Sequence, residues 1–308
     1  MGVAMSTTSL AAPAEDERLI VVPRRSPVQI IGMLVVLVLG AMLVNTLITN
    51  ERFEWDVVAQ YLTVEAILRG ALLTVELTAI SMVLGVALGV VLAVMRLSVN
   101  RMLAGISFAF VWFFRGTPLL IQLIFWFNLS ALYPQLSLGI PFGPAFVSGS
   151  ANAFITPFAA AVLGLTLNEA AYMAEIVRGG LLGVDRGQTA AAQALGMTRT
   201  LTLRRIVLPQ AMRIIVPPTA NQTVAMLKNT SLVSVLGAAE LLHSAQIIYS
   251  RTYETIPLLI VAALWYLAMT SVLSLGQYYI ERYYRRGDLG SGRAKLWRSK
   301  SRLEATPS

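Results

Sequence analysis

Cysteine is absent from this chain of 308 residues, and histidine occurs only once, as His243. The chain therefore has no disulfide, no thiolate metal site and no cysteine nucleophile, and it cannot build a cluster of histidine ligands. Charged residues are also scarce, at 13%, whereas hydrophobic residues make up 56%. This composition excludes an ordinary soluble domain.

Long uncharged stretches recur along the chain, for example at 28–49, 77–95 and 255–280. A stretch of about 20 apolar residues is long enough to cross a hydrocarbon core about 30 Å thick. The stretch 133–154 contains prolines and glycines and predicts a compact external loop. We therefore predict an all-α membrane protein with six transmembrane helices, near residues 28–49, 70–95, 108–132, 155–178, 213–236 and 256–280.

The basic residues are distributed unevenly between the two sides of the predicted membrane. Six crossings put both termini on one side, and if that side is the cytosol, it carries 19 of the 24 Lys and Arg residues, against three outside. The positive-inside rule therefore predicts cytosolic termini. The net charge of +8 then faces the cytosol and anionic lipid headgroups, which argues against a nucleic-acid partner.

The chain divides into four predicted parts. Residues 1–27 form a cytosolic N-terminal tail, and 28–49 form the first transmembrane helix, which lacks a convincing signal-peptide cleavage site. The other predicted spans lie within 66–285, and 286–308 form a basic cytosolic tail.

The predicted cytosolic segment 179–212 carries the most informative pattern. An alanine-rich run ends at a glycine, and nine residues later an Ile-x-Leu-Pro sequence follows. Alanines favour a helix, glycine permits the turn that ends it, and proline suits the first turn of the next helix. The pattern predicts a short helix outside the bilayer, offered to a soluble partner. Its residues are Ala190, Ala191, Ala192, Gly196, Ile206, Leu208 and Pro209.

This segment closely resembles the Glu-Ala-Ala-x3-Gly-x9-Ile-x-Leu-Pro loop of ABC importer permeases, through which the ATPase moves the membrane subunit. The leading Glu of that family is Ala190 here. Replacing this Glu by Ala removes an exposed contact of about 1 kcal/mol or less, so we expect the coupling between the ATPase and the membrane subunit to survive. Four further blocks, within about 66–285, resemble the polar amino-acid branch of these permeases: 72–78, 114–122, 167–180 and 228–235.

The resemblance implies a permease subunit in the bacterial cytoplasmic (inner) membrane, with a core of five helices that translocates polar amino acids. It implies that residues 66–285 form this transmembrane core and that 28–49 form an additional N-terminal transmembrane helix before it. It also implies a second permease copy or a homologous one, a dimer of cytosolic ABC ATPases and an extracytoplasmic amino-acid-binding protein. This chain has no phosphate-binding loop, so ATP and Mg would be bound by the ATPase. We therefore expect no cofactor, no metal and no enzymatic activity in this chain.

Polar residues in the fourth predicted span are candidates for the substrate path. Asn168 and Tyr172 are four residues apart and share a helical face, with Glu169 beside them. An amide and a carboxylate can hold the ammonium group of an amino acid, but they can equally form a polar contact between helices. If Glu169 faces the path, it favours cationic or neutral substrates over glutamate.

The fifth predicted span carries further polar residues after Pro217 and Pro218, which should kink the helix. These residues can line the path or form a gate, or they can satisfy the backbone groups that the kink releases. We expect Arg115 and Glu175 to form structural pairs or to reach the membrane interface. The remaining path candidates are Asn221, Gln222, Lys228 and Asn229.

Two other classes of protein have to be weighed. A stand-alone ion-coupled amino-acid transporter or channel would favour internal repeats, and the alanine-rich loop would have no purpose in it. An intramembrane enzyme would need a metal-binding set or a nucleophile with its base, which a single histidine outside the membrane does not provide.

Overall fold

The structure is a computed structural model that describes residues 27–140 and 145–285. The predicted tails 1–27 and 286–308 lie outside the described residues, apart from Pro27. Backbone contacts divide the chain into two compact units, 1–53 and 54–308.

In the first unit, helix α1 (Pro27–Thr49) is followed by a single 3-10 turn at Glu51–Phe53. Every residue of α1 is exposed except the partly exposed Leu47. A helix that is apolar on all sides is typical of a membrane span, where lipid covers the side chains.

The second unit contains the remaining helices and one small sheet. A π-helical turn (Leu203–Val207) precedes α11, and a 3-10 segment (Thr230–Leu236) follows it. The elements are α2 (Trp55–Tyr61), α3 (Glu65–Arg96), α4 (Arg101–Gly116), α5 (Leu119–Phe127), α6 (Leu129–Leu132), β1 (Gln135–Gly139), β2 (Ala145–Ser150), α7 (Ala151–Phe154), α8 (Pro157–Leu182), α9 (Arg186–Ala194), α10 (Arg199–Thr202), α11 (Leu208–Asn229), α12 (Leu241–Thr252) and α13 (Thr255–Arg285).

Four helices of the described residues are long and apolar enough to cross a membrane, namely α1, α3, α8 and α13. Two bent segments pass the same test. One joins α4 to α5 with a bend of 103°, and the other joins 199–236 to α12 with a bend of 44°. Counting each bent segment as one span gives six, which agrees with the predicted number.

The span predicted near 108–132 is broken into two helices, α4 and α5. The chain breaks between α4 and α5, where Thr117 is extended, with φ −114° and ψ 143°. Pro118 causes the break because its ring disfavours the helical conformation of the residue before it. The sequence Gly116-Thr117-Pro118 carried this signal.

The segment after the fourth predicted span contains an element that was not predicted. α11 continues as one helix through Pro217 and Pro218. Helix α12, which follows the bend, was not predicted. The loop 133–154 contains no span, as predicted, but it forms an antiparallel hairpin in which Gln135 of β1 pairs with Ser150 of β2.

Helix α8 lies at the centre of the second unit and packs against α3, α4, α5 and α11. Its contact with α3 depends on small residues, because a Cβ added at Gly89 would lie 2.5 Å from Cβ of Met173. Such close approach of backbones is typical of helix packing in membranes. Because α8 is central, its polar residues lie close to α3, α4, α5 and α11.

Helix α12 is fixed by Glu240, a residue that sequence reasoning missed. The carboxylate of Glu240 is fully buried, and it accepts hydrogen bonds from the backbone N–H groups of Leu242 and His243 at the start of α12. It also accepts a hydrogen bond of 2.8 Å from the hydroxyl of Tyr266 on α13. Glu240 therefore caps α12 and ties it to α13 at the same time.

Candidate functional site

A cavity of about 560 Å³ lies between the α4–α5 break, α8 and α11, and we call it the Glu169 cavity. Five predicted path residues line it: Asn168, Glu169, Tyr172, Gln222 and Asn229. The structure therefore brings together most of the path candidates from the two helices.

The other two candidates, Asn221 and Lys228, do not line this cavity and are exposed. Helical periodicity explains why two of the candidates on α11 line the cavity and the other two do not. Gln222 and Asn229 are seven residues apart and share the face of α11 that meets the cavity, whereas Asn221 and Lys228 share the neighbouring face, about 100° away.

Glu169 is the least exposed polar group of the cavity, with 4% of its surface accessible. Among the residues that the structure describes, its Oε1 atom has no hydrogen-bond partner. Its stem packs against α3 at Gly85, where an added Cβ would lie 2.8 Å from Cβ of Glu169. A buried carboxylate oxygen without a partner can accept a hydrogen bond from a cationic group in the cavity.

Asn168 has a structural role, because its amide holds the break between α4 and α5. Its Nδ2 atom donates to the carbonyl oxygen of Phe114 at 3.1 Å and to Oε1 of Gln122 at 3.2 Å. Gln122 in turn donates to the carbonyl oxygens of Phe114 and Thr117 at 3.0 and 3.1 Å. These bonds satisfy carbonyl groups that the helix end leaves open. Asn168 thus makes the polar contact between helices that was one of its two interpretations, and it also lines the cavity.

Arg115 lines the Glu169 cavity as its cationic group. Its Cζ atom lies 5.3 Å from the ring centroid of Tyr172, which is within the range of a cation–π interaction. Glu175 forms the expected structural pair, with 2.6 Å between Oε2 and NH2 of Arg178. The cavity is thus lined by the carboxylate group of Glu169 and by the guanidinium group of Arg115.

The predicted coupling segment forms a short helix that ends in a turn. Asp185 caps α9, because its Oδ1 atom accepts a hydrogen bond of 2.7 Å from the backbone N–H of Gly187. Past the helix end, Gly196 has a φ of 75°, a conformation that glycine adopts without steric cost. The predicted helix and its glycine stop are therefore both present.

Most of this segment is accessible to a partner. Ala190 and Ala191 are exposed, whereas Ala192 is buried. Ile206 lies in the π-helical turn and is partly exposed, and Leu208 and Pro209 form the first turn of α11.

Sequence reasoning missed Leu195, which is 82% exposed beside Gly196. A large apolar side chain at the end of a helix that is predicted to lie outside the bilayer was a signal in the sequence, and it could have indicated Leu195 as a contact for the soluble partner.

The described residues contain no group of three or more His, Cys, Asp or Glu side chains that could hold a metal ion. The residues that line the Glu169 cavity offer ionic and hydrogen-bonded contacts.

A family model described as "Binding-protein-dependent transport system inner membrane component" matches residues 85–286. This match covers most of the helices that build the cavity and the whole coupling segment. The chain belongs to this family of permeases. The family assignment also gives the location of the permease, which is the bacterial inner membrane.

Curated relatives support the assignment over nearly the whole chain. The permease is 43% identical over 280 residues to the arginine transport system permease protein ArgU of Corynebacterium glutamicum, covering 90% of this chain and 86% of that protein. It is 37% identical over 230 residues to the L-cystine transport system permease protein TcyB of Bacillus subtilis, covering 74% and 90%. The coverage with ArgU is too extensive to leave out α1, so the additional helix is shared with this relative at least in part.

Solved structures have the same fold. The permease matches a chain of an amino-acid ABC transporter, crystallised with histidines, with a TM-score of 0.60 and 34% identity, covering 71% of this chain and 94% of that one. A chain of the MetNI methionine ABC transporter matches with a TM-score of 0.54 and 19% identity, which supports the fold alone.

Proposed function

We propose that this permease is the membrane-spanning subunit of an ATP-driven importer whose preferred substrates are amino acids with a positively charged side chain. The observation that carries the proposal is the Glu169 cavity. The carboxylate of Glu169, which lines the cavity and has one oxygen without a hydrogen-bond partner, can accept from a guanidinium or ammonium group, and Arg115 can hold a carboxylate. One cavity therefore offers a partner to each charged end of such an amino acid.

Electrostatics favours a cationic side chain over an acidic one. In its ionised form, a carboxylate as buried as that of Glu169 repels an acidic substrate more strongly than an exposed carboxylate would, because the surrounding dielectric is low. The similarity to ArgU, which is named as an arginine transport permease, agrees with this choice.

The partners follow from the family and from the exposed coupling segment. We infer that a cytosolic ATPase binds α9 and the exposed Leu195, and that it carries the ATP and Mg, so that hydrolysis takes place in the partner. The termini would then lie in the cytosol, in line with the positive-inside rule. A second permease, identical or related, would complete the path, and an external binding protein would deliver the amino acid.

Uptake by reconstituted vesicles tests the substrate preference. With the ATPase and the binding protein present, we expect arginine and lysine to be taken up in preference to glutamine and glutamate. Glu169→Gln should raise the KM for arginine by about tenfold, since it removes a charge-assisted hydrogen bond. Glu76→Gln is the matched control, because Glu76 is an exposed carboxylate on α3. Unchanged affinity and selectivity in Glu169→Gln would remove the proposed role of this residue.

A further inference from the structure

A second cavity, of about 460 Å³, lies beside the Glu169 cavity, and we call it the Arg96 cavity. Arg115, Gly116 and Tyr172 line both cavities, so the stacked pair of Arg115 and Tyr172 stands between them. A small molecule that passes this pair moves from one cavity to the other.

The charged groups of the Arg96 cavity are positioned by contacts on three helices. The NH1 atom of Arg96, the last residue of α3, donates to the carbonyl oxygen of Ala104 at 3.2 Å, and its guanidinium lies 4.4 Å from the ring centroid of Phe108. Arg178 of α8 is held by Glu175 at 2.6 Å. An arginine carries five N–H donors and a carboxylate accepts up to about four hydrogen bonds, so these contacts do not exhaust either group.

The balance of charge in this cavity matches the head group of an amino acid. Arg96, Arg115 and Arg178 supply three guanidinium groups, and Glu175 supplies one carboxylate. A bound α-carboxylate can pair with guanidinium groups, while the α-ammonium can donate to Glu175. The headgroup of phosphatidylglycerol fits less well, because it carries no ammonium group that could donate to Glu175.

We propose that the Arg96 cavity is a second amino-acid subsite, which binds the α-carboxylate and α-ammonium groups of the substrate after it passes Arg115 and Tyr172. This inference rests on the proposed function, because it takes the Glu169 cavity as the first subsite. Arg96 ends α3, and Arg178 lies four residues before the end of α8, where the coupling segment follows. The second subsite therefore lies toward the side where the ATPase would bind, as an exit site requires.

Two cysteine reporters can follow the two cavities separately, since the natural chain contains no cysteine. Trp112→Cys reports on the Arg96 cavity, and Asn229→Cys reports on the Glu169 cavity. The complete importer is labelled with N-ethylmaleimide, a neutral reagent, and the labelling of this chain is followed by mass spectrometry. L-arginine is compared with agmatine, which has the same guanidinium but no carboxylate.

We expect L-arginine to slow labelling at both reporters, and agmatine to slow it only at Asn229→Cys. Adding Arg96→Gln should raise the L-arginine concentration for half-protection of Trp112→Cys by about tenfold and leave Asn229→Cys unchanged. Arg101→Gln is the control, because Arg101 begins α4 but does not line either cavity.

Three results would overturn the second subsite. In the first, agmatine protects Trp112→Cys as well as L-arginine does, so the carboxylate is not recognised. In the second, protection follows the fraction of phosphatidylglycerol in the bilayer instead of L-arginine, which assigns the cavity to lipid. In the third, L-arginine protects only Asn229→Cys, which leaves the proposed function intact. Protection at neither reporter would overturn the first subsite as well. The comparison of L-arginine with agmatine needs only the reporters, so it stands even if Arg96→Gln does not fold.

Discussion

The Nδ2 atom of Asn168 lies 3.2 Å from Oε1 of Gln122, and this contact joins α8 to the first turn of α5. Both amides also donate to the carbonyl oxygen of Phe114 near the end of α4. Two side chains from different helices thus satisfy the backbone where a span bends by 103°. The same bend places Arg115 beside the Glu169 cavity, so the shape of the cavity depends on this pair.

Replacing Gln122 should therefore destabilise the permease. Gln122→Leu leaves the carbonyl oxygens of Phe114 and Thr117 without one of their donors, and buried unsatisfied groups cost about 1–3 kcal/mol each. We expect a lower unfolding temperature in detergent, measured by differential scanning fluorimetry. Asn128→Ala is the control, since Asn128 is an amide near the end of the same helix whose own hydrogen bond is exposed. Equal unfolding temperatures for the two variants would contradict this role.

The close contact between α3 and α8 gives a second prediction. Gly89→Ala places a Cβ 2.5 Å from Cβ of Met173, and the helices have to move apart. Overpacking of this kind costs about 1–3 kcal/mol. Gly105→Ala has no atom within 4 Å of the new Cβ and should be neutral or slightly stabilising. The difference in unfolding temperature between the two glycine variants measures the destabilisation by overpacking. Equal unfolding temperatures would mean that α3 and α8 move apart without loss of stability, which would contradict the prediction.

The coupling segment gives a third prediction, which concerns the ATPase. Leu195→Ser removes the exposed apolar side chain at the end of α9, so we expect weaker co-purification of the ATPase and less substrate-stimulated hydrolysis. The fold of the permease should not change in this variant, because the side chain of Leu195 is 82% exposed. Leu182→Ser, at an exposed leucine that ends α8 outside the α9 helix, is the matched control. Similar losses in both variants would show that the effect is not specific to the turn at Gly196.

The fourth prediction concerns the hydrogen bond between Tyr266 and Glu240. Tyr266→Phe removes the hydroxyl that donates to the buried carboxylate at 2.8 Å. Hydrogen bonds to charged groups contribute about 1.5–3 kcal/mol, so the unfolding temperature should fall. Tyr283→Phe, at an exposed position of α13, should leave it unchanged. A fall of the same size in both variants would indicate that the hydrogen bond between Tyr266 and Glu240 does not contribute to the stability of the permease.

Sequence patterns predicted the features that depend on local composition. The uncharged runs gave the number of spans, and the alanines before Gly196 gave a short helix with a stop that the structure reproduces. Each of these signals depends on residues that are close together in the chain.

Features that depend on contacts between distant residues were not predicted. Glu240 and Tyr266 are 26 residues apart, and no local pattern indicates that the carboxylate is buried against α13. Asn168 and Gln122 are 46 residues apart, so the role of Asn168 became clear only when the bend was seen. The bend itself had a local signal in Pro118, but a hydrophobic run that continues on both sides of it obscured the break.

Dependence on a separate ATPase is the central claim, and reconstitution tests it most directly. The permease, its partner permease where one exists, and the binding protein are placed in vesicles with or without the ATPase, and accumulation of labelled arginine is measured. We predict accumulation only when the ATPase and ATP are both present, with hydrolysis stimulated by the loaded binding protein. Accumulation of arginine in vesicles that contain no ATPase would contradict the account, and the permease would then have to be a transporter that works alone.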